Sequence, residues 1–312
     1  MQSSTLTVTA LDGTSLHVNR WLPDGTAKAV VQIAHGMAEH SGRYARFAER
    51  LTADGYAVYA GDHRGHGATA AGAEDEGYFA DHAGFATVVD DLHLVTQRAK
   101  TEHPGLPFFL FGHSMGSFLS RSYAARFGDE LDGLVLTGTG GDPGLLGKVG
   151  HLVAATEGRV RGRRHTSGLL NTLTFGPYNK AFKPNRTEFD WLSRDGAEVD
   201  KYIADPWCGN VFTSGFFADL LGGLAQVNAD ETVTRTPKDL PIHLVSGSMD
   251  PVGGQTKGVQ QVASQYRRLG VEDVTTMFWP GARHEVLNET NRDEVTDEIV
   301  DWLDAHLPVA PS

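Results

Sequence analysis

The chain has 312 residues, 40% of them hydrophobic, and a formal net charge of −12 from 39 acidic and 27 basic side chains. That length suits one large domain, or a domain carrying an insertion, with ample core. The acidic balance argues against a nucleic-acid partner, which would want a basic face, and the lone cysteine, Cys208, excludes an internal disulfide.

The N-terminus, Met1-Gln2-Ser3-Ser4-Thr5, has neither a basic region nor an apolar signal core, and no stretch approaches the length of a membrane span. A cytoplasmic location is therefore expected. Residues 5–10 alternate apolar and polar, Asp12-Gly13 turns the chain, and residues 15–21 alternate again, which predicts an antiparallel opening hairpin. The texture then changes. Residues 29–34 form a near-continuous apolar run, as expected of a strand buried on both faces. Residues 43–54 read as a helix carrying Tyr44, Phe47, Ala48 and Leu51, stopped by Gly55, and residues 56–60 as the next strand. A second helix is predicted over 85–100, strands over 107–111 and 131–136, and between these strands a helix over 117–127 that Gly128 stops. Strands alternating with helices imply a parallel sheet wrapped by helices, with functional loops at the carboxyl ends of the strands.

Near Gly140 the rhythm breaks. From Gly141 to about Pro237 there are helical fragments, many glycines and aromatics, and no convincing strand. This segment is expected to be an inserted cap, 141–237, over a core made of 1–140 and 238–312. Its apolar clusters, Leu169-Leu170 with Leu173 and Val211-Phe212 with Phe216-Phe217-Leu220-Leu221, are expected to pack on one another, and some to face a substrate or a membrane. Arg159, Arg161, Arg163 and Arg164 form the one basic run, read as a solvated loop, with docking to an anionic lipid surface as the alternative. Residues 242–245 restore the sheet, 252–269 look helical, 274–279 form a last strand, and 295–307 a closing helix with Ile299, Val300, Trp302 and Leu303.

The chemistry centres on Gly112-His113-Ser114-Met115-Gly116, which fits the G-x-S-x-G turn that lifts a nucleophilic serine between a strand and a helix. A serine hydroxyl needs a base within reach, and the base needs a group to orient it. In this type of sheet the order is serine, acid, histidine, each past a strand. Asp250 follows the strand at 242–245 and is expected to be the acid, the alternative being a cap for the helix that Pro251 would start. His284 follows the last strand and is expected to be the base. His113, beside the serine, is expected to point elsewhere. His63 and His66, in Asp62-His63-Arg64-Gly65-His66-Gly67, read as a loop held by hydrogen bonds rather than a metal site. The backbone N–H groups of Met37 and Met115 are the candidate oxyanion donors, with Gly36 giving the backbone freedom to aim the first. Neither a metal nor a cofactor is called for. Cys208 reads as a small apolar residue rather than a nucleophile.

With these motifs assembled, the chain resembles the monoacylglycerol lipase and lysophospholipase branch of the α/β-hydrolases, the group of the serine-aminopeptidase-like hydrolases. The resemblance runs through His35-Gly36-Met37-Ala38-Glu39-His40-Ser41-Gly42-Arg43-Tyr44, the Asp62 to Gly67 segment, Gly77-Tyr78-Phe79, the Ser114 turn, Asp190-Trp191-Leu192-Ser193-Arg194-Asp195, Asp205-Pro206, Asp250-Pro251-Val252 and Arg283-His284-Glu285-Val286-Leu287-Asn288-Glu289. It implies an α/β-hydrolase fold with a mobile cap lining an acyl tunnel, a Ser114–Asp250–His284 triad, and Met37 and Met115 at the oxyanion hole. The implied substrate is a lipid ester, most of all a monoacylglycerol, with transient contact between the cap and a membrane surface. A broad carboxylesterase or lysophospholipase shares these residues. More remote are a serine aminopeptidase, which would need carboxylates such as Glu157, Glu188 and Asp190 to converge on an amine, a cofactor-free haloperoxidase, and a non-catalytic ligand-binding homologue.

Overall fold

The computed structural model describes residues 1–72 and 74–308. Eight strands, β1 (Gln2–Thr9), β2 (Ser15–Leu22), β3 (Ala29–Ala34), β4 (Tyr56–Gly61), β5 (Phe108–His113), β6 (Gly133–Thr137), β7 (Ile242–Gly247) and β8 (Val274–Trp279), form one sheet in the order β1-β2-β4-β3-β5-β6-β7-β8. The pairings of β1 with β2 and of β2 with β4 are antiparallel, and every other pairing is parallel. Every residue of β3 to β7 is buried, which is why those strands read as unbroken apolar runs, whereas β1 at the edge alternates.

The helices are α1 (Ala45–Ala53), α2 (Gly84–Glu102), α3 (Met115–Phe127), α4 (Gly144–Arg161), α5 (Gly168–Phe175), α6 (Gly196–Ala204), α7 (Ser214–Val227), α8 (Asp230–Val233), α9 (Lys257–Arg268) and α10 (Arg292–Ala305). They divide the core in two. Val30, Tyr59, Leu110, Leu134 and Leu244 pack against Val88 and Leu92 of α2, Leu119 and Tyr123 of α3, and Val262 and Tyr266 of α9. On the other face, Val31, Ile33, Phe109, Phe111 and Val135 meet Phe47 and Leu51 of α1 and Ile299, Trp302 and Leu303 of α10. Alternate residues of the same strands feed the two cores, and each fully buried aliphatic or aromatic side chain contributes about 1.5–3 kcal/mol.

Three expectations need correction. The helix expected over 252–269 begins at Lys257, because Gly253-Gly254 and the positive φ of Gln255 (53°) and Thr256 (77°) hold residues 251–256 in turns. Pro251 therefore does not start it. The helix expected from Arg43 opens as a 3₁₀ turn, Ser41–Tyr44, before α1. The basic run is not a free loop. Arg159 and Arg161 lie in α4, Arg163 bonds Asp219 and the Ala80 carbonyl, and Arg164 bonds Asp75 and stacks over Tyr78.

Between β6 and β7 the chain forms α4 to α8 and, in place of a strand, one isolated bridge, Thr166 to Thr213. Its apolar clusters are partly buried and partly exposed. Leu170, Phe212, Phe216, Phe217 and Leu220 are buried, while Leu169, Leu173 and Val211 stay exposed. No helix among the described residues is long and apolar enough to cross a membrane.

Candidate active site

The parallel register brings the carboxyl ends of β3, β5, β6, β7 and β8 into one row, with Ala34 beside Gly112, His113 beside Thr137, and Gly247 beside Trp279. Ser114 follows β5 at φ 52°, ψ −120°, a conformation that costs a non-glycine residue strain and persists because its surroundings hold it. Ser114 N–H donates to the Thr137 carbonyl at 2.9 Å, and a Cβ at Gly116 would overlap the Ala34 carbonyl. Only glycine lets α3 start this close to β3.

His284 and Asp250 meet across the ends of β7 and β8. Backbone bonds from Ser248 to Trp279 and from Met249 to Ala282, both 2.9 Å, lock the two loops together. His284 Nδ1–H donates to Asp250 Oδ1 at 3.0 Å, which leaves Nε2 as the free acceptor. Asp250 Oδ1 also accepts from Val252 N–H, so the carboxylate caps a turn and not α9. Burial alone would depress the imidazole pKa. The Asp250 charge and hydrogen bond, with Glu285 and Glu39 beyond, outweigh it and raise His284 above its ordinary value. Among the described residues His284 bonds Asp250 and not Ser114, a looseness usual before substrate binds. A Cβ at Gly138 would lie 2.8 Å from His284 Cε1, and one at Gly36 would lie 3.2 Å from the Ser114 Cβ.

The loop after β3 faces this pair. The N–H groups of Met37 and Met115 donate to no protein group among the described residues. The positive φ in that loop falls on Ala38 (58°), not on Gly36 as the sequence suggested. Gly36 is required instead by space, since a Cβ there would lie 2.7 Å from Glu39 Oε1. The strained Ala38 carbonyl accepts from Tyr202 Oη at 2.9 Å and from Gly209 N–H at 3.0 Å, both from the segment between β6 and β7.

Several residues that set this geometry escaped the sequence reading. His113 does not point away from the site: its ring lies 4.8 Å from that of His284, and burial together with the neighbouring imidazole drops its pKa to about 4. Arg43 forks onto Glu285 at 2.7 and 2.8 Å and reaches Glu39 at 2.6 Å, while Glu39 accepts from Gly36 N–H, so one guanidinium ties the Met37 loop to the His284 loop. Glu289 is fully buried and accepts from Arg283 N–H (2.8 Å), Arg194 N–H (3.1 Å), Arg194 Nε (2.7 Å) and Thr290 N–H (3.1 Å). His284 N–H and Glu285 N–H donate to the Trp191 and Leu192 carbonyls. The signal was present, since these residues fall inside the matched motifs, but nothing in their spacing reveals the pairing.

His63 and His66 are held as expected. His35 Nε2 accepts from His63 N–H at 2.9 Å, His63 Nε2 bonds the His35 carbonyl, and His66 Nδ1 bonds the Arg64 carbonyl. Burial keeps all three rings neutral. The one group with metal-like spacing among the described residues is His40, Asp205 and Cys208. It suits a metal poorly. His40 Nδ1 accepts from Gly42 N–H, so the ring proton sits on Nε2, facing Asp205, and burial pushes the Cys208 thiol pKa up.

Above Ser114 opens a cavity of about 570 Å³. Met37, Ser114 and Met115 lie among its walls with Phe118, Leu170, Leu220, Leu221 and Leu224, and Leu146 and Leu173 carry its lining out to the surface. Tyr178 and Trp191 stand over the side near His284, Trp191 with its ring 5.0 Å from the imidazole. Burial and the Asp250 charge push the Tyr178 hydroxyl pKa up to about 12, so it stays a neutral donor.

Residues 25–291 match the family model described as serine aminopeptidase, S33. The chain is 32% identical over 287 residues to a monoacylglycerol lipase of Mycolicibacterium smegmatis, covering 92% of each chain. It is 31% identical to the human monoglyceride lipase, over 92% of this chain and 85% of that one. Among solved structures it superposes with a TM-score of 0.91 on a thermostable carboxyl esterase from Bacillus coagulans in complex with glycerol, at 29% identity over 98% of this chain and 99% of that one.

Proposed function

The chain belongs to the serine aminopeptidase S33 family of α/β-hydrolases, and from that footing we propose that it hydrolyses single-chain lipid esters, above all monoacylglycerols, through an acyl-enzyme on Ser114. The observation that carries this reading is the cavity: its volume suits a small lipid, its walls are mostly apolar, and Ser114 lies in its lining.

His284 Nε2 takes the hydroxyl proton of Ser114 as Oγ attacks the ester carbonyl carbon. The oxyanion accepts hydrogen bonds from the N–H groups of Met37 and Met115, aimed before the reaction starts. The imidazolium is stabilised by Asp250 and returns the proton to the leaving glycerol oxygen as the C–O bond breaks. Water then attacks the acyl-enzyme with the same base and restores Ser114. Asp250 fixes the tautomer and orientation of the ring.

In this reading residues 141–237 are a cap over the acyl tunnel. Leu145, Leu146, Val149 and Leu152 of α4 and Leu169 and Leu173 of α5 are exposed, and Leu146 and Leu173 also line the cavity. An apolar rim at the mouth of an apolar cavity favours loading from a lipid surface, with the protein docked there peripherally. An aminopeptidase is disfavoured. Glu157 bonds Ser214, Asp190 is spent on Thr187 and Arg186, and Glu188 is exposed, so the three carboxylates hold no common amine site. The test is a fluorophosphonate probe with monooleoylglycerol as competitor. Labelling mapped to Ser114 and slowed by the lipid supports the reading, and labelling that the lipid leaves unchanged refutes it.

A further inference from the structure

Arg121 lies in the middle of α3, two turns from Ser114, and is 1% exposed. A buried guanidinium usually meets a carboxylate. Here no carboxylate pairs with it among the described residues. Its hydrogen bonds go to three neutral oxygens instead: Nη1 donates to the Gly140 carbonyl at 3.1 Å, and Nη2 to the Val227 carbonyl at 3.1 Å and Asn228 Oδ1 at 2.8 Å. Tyr266 of α9 stands close enough to interact with it, and Nε has no partner.

The places these oxygens occupy give the pattern its meaning. Gly140 is where the chain leaves β6 for the inserted helices. Val227 and Asn228 end α7, the last helix of the cavity roof, and form its second neck, with α8 and residues 234–237 leading on to β7. The Val227 carbonyl sits at the C-terminal, partly negative end of α7, which favours a cation. Gln265 of α9 clasps the Asn228 carbonyl at 2.8 Å and so backs the same corner. Between the two crossings lies the roof of the cavity. α7 supplies Leu220, Leu221 and Leu224, and α4 packs along it, with His151 Nδ1 bonded to the Ala218 carbonyl at 2.9 Å. The floor, Met115 and Phe118, belongs to α3, the helix that carries Arg121.

We propose that Arg121 is a positioning residue that pins both necks of the roof helices to the nucleophile helix and thereby fixes the cavity roof over Ser114 for long acyl chains. The proposal rests on the lipid-ester reading given above. A single charged fork holding both crossings makes roof and floor one rigid unit. A rigid donor fork serves this better than a lysine, whose ammonium cannot span the same three acceptors in plane. Short esters need the floor and the nucleophile alone, whereas long chains need the roof.

The test compares Arg121→Met and Arg121→Lys with wild type on monooleoylglycerol and 4-nitrophenyl acetate, with hydrogen exchange of the amides in 138–142 and 227–229. Arg121→Met is expected to raise KM for the long-chain ester about tenfold, the order of one or two lost charged hydrogen bonds, with kcat/KM for the acetate within about twofold. Both necks should exchange faster together, and Arg121→Lys should recover part of the loss. Should Arg121→Met not fold, Asn228→Ala removes one acceptor and is expected to show the same split at smaller size. An equal loss on both esters, or unchanged exchange at either neck, would overturn the proposal. If wild type leaves monooleoylglycerol intact but cleaves the acetate, the substrate reading fails, while the exchange at the two necks still decides whether Arg121 is the pin.

Discussion

Replacing Glu289 with alanine removes the carboxylate that holds the His284 loop from behind. Four donors lose their acceptor: the N–H groups of Arg283, Arg194 and Thr290, and the Arg194 guanidinium. Glu289 itself is fully buried, while the Arg194 side chain is 32% exposed and Thr290 lies at the surface, so water reaches part of the donor set but not the carboxylate. Breaking a buried pair of this kind costs about 3–5 kcal/mol, against a total stability of about 5–15 kcal/mol. For a chain of this size that lowers the melting midpoint by roughly 6–10 °C, at about 2 °C per kcal/mol. Glu289→Gln keeps an oxygen for Arg283 N–H and Arg194 N–H but turns an amide NH₂ toward the other two donors. It should lose about 1.5–3 kcal/mol. Both variants should lower kcat on the order of 10–100-fold, because a base displaced by even a fraction of an ångström meets Ser114 poorly. Urea unfolding and calorimetry measure the stability, and steady-state hydrolysis measures the rate. An alanine variant within about 1 kcal/mol of wild type would refute the claim that this carboxylate holds the loop.

Ser114→Ala should drop kcat on the order of 10⁵–10⁶-fold with the fold intact by circular dichroism; residual turnover near wild type would discard the nucleophile. The acid limb of kcat/KM should lie above 6.5, because His284 is raised above its ordinary value and a protonated ring cannot take the serine proton. Activity is therefore lost as pH falls through that raised value. Asp250→Asn should move the limb to lower pH while cutting kcat about 10⁴-fold, and a limb that stays in place would separate Asp250 from the base. Gly116→Val, which forces a branched side chain onto the Ala34 carbonyl, should displace α3 and abolish probe labelling of Ser114; undiminished labelling would contradict the close approach. Leu145→Glu with Leu152→Glu should weaken sedimentation with phosphatidylcholine vesicles and leave 4-nitrophenyl acetate turnover unchanged, whereas unaltered vesicle binding would remove α4 from the docking surface.

The strands and the site were legible for different reasons. β3, β5 and β7 lie inside the sheet with both faces covered, so their burial is written as continuous apolar runs; Ser114 follows β5 and Asp250 follows β7, while His284 follows the half-exposed edge strand β8. The turns at 251–256 were not legible, because Val252 and Val259 keep helical spacing through residues whose backbone is not helical. The hold on the His284 loop was hidden for another reason. Arg43 and Glu285 are 242 residues apart, and Arg194 and Glu289 are 95 apart, so no local pattern joins them. Arg121 falls inside the helix expected over 117–127 with nothing to single it out, since a buried cation satisfied by neutral oxygens leaves no mark in charge patterning.

The measurement that most directly tests the central claim is the initial rate of hydrolysis against acyl length, for monoacylglycerols beside ethyl esters of the same acids, with Ser114→Ala run in parallel. The cavity above Ser114 and the proposed triad predict faster turnover of the glycerol esters at medium and long chain lengths, and none by the serine variant. Equal or faster turnover of short ethyl esters would contradict the claim and leave a general carboxylesterase.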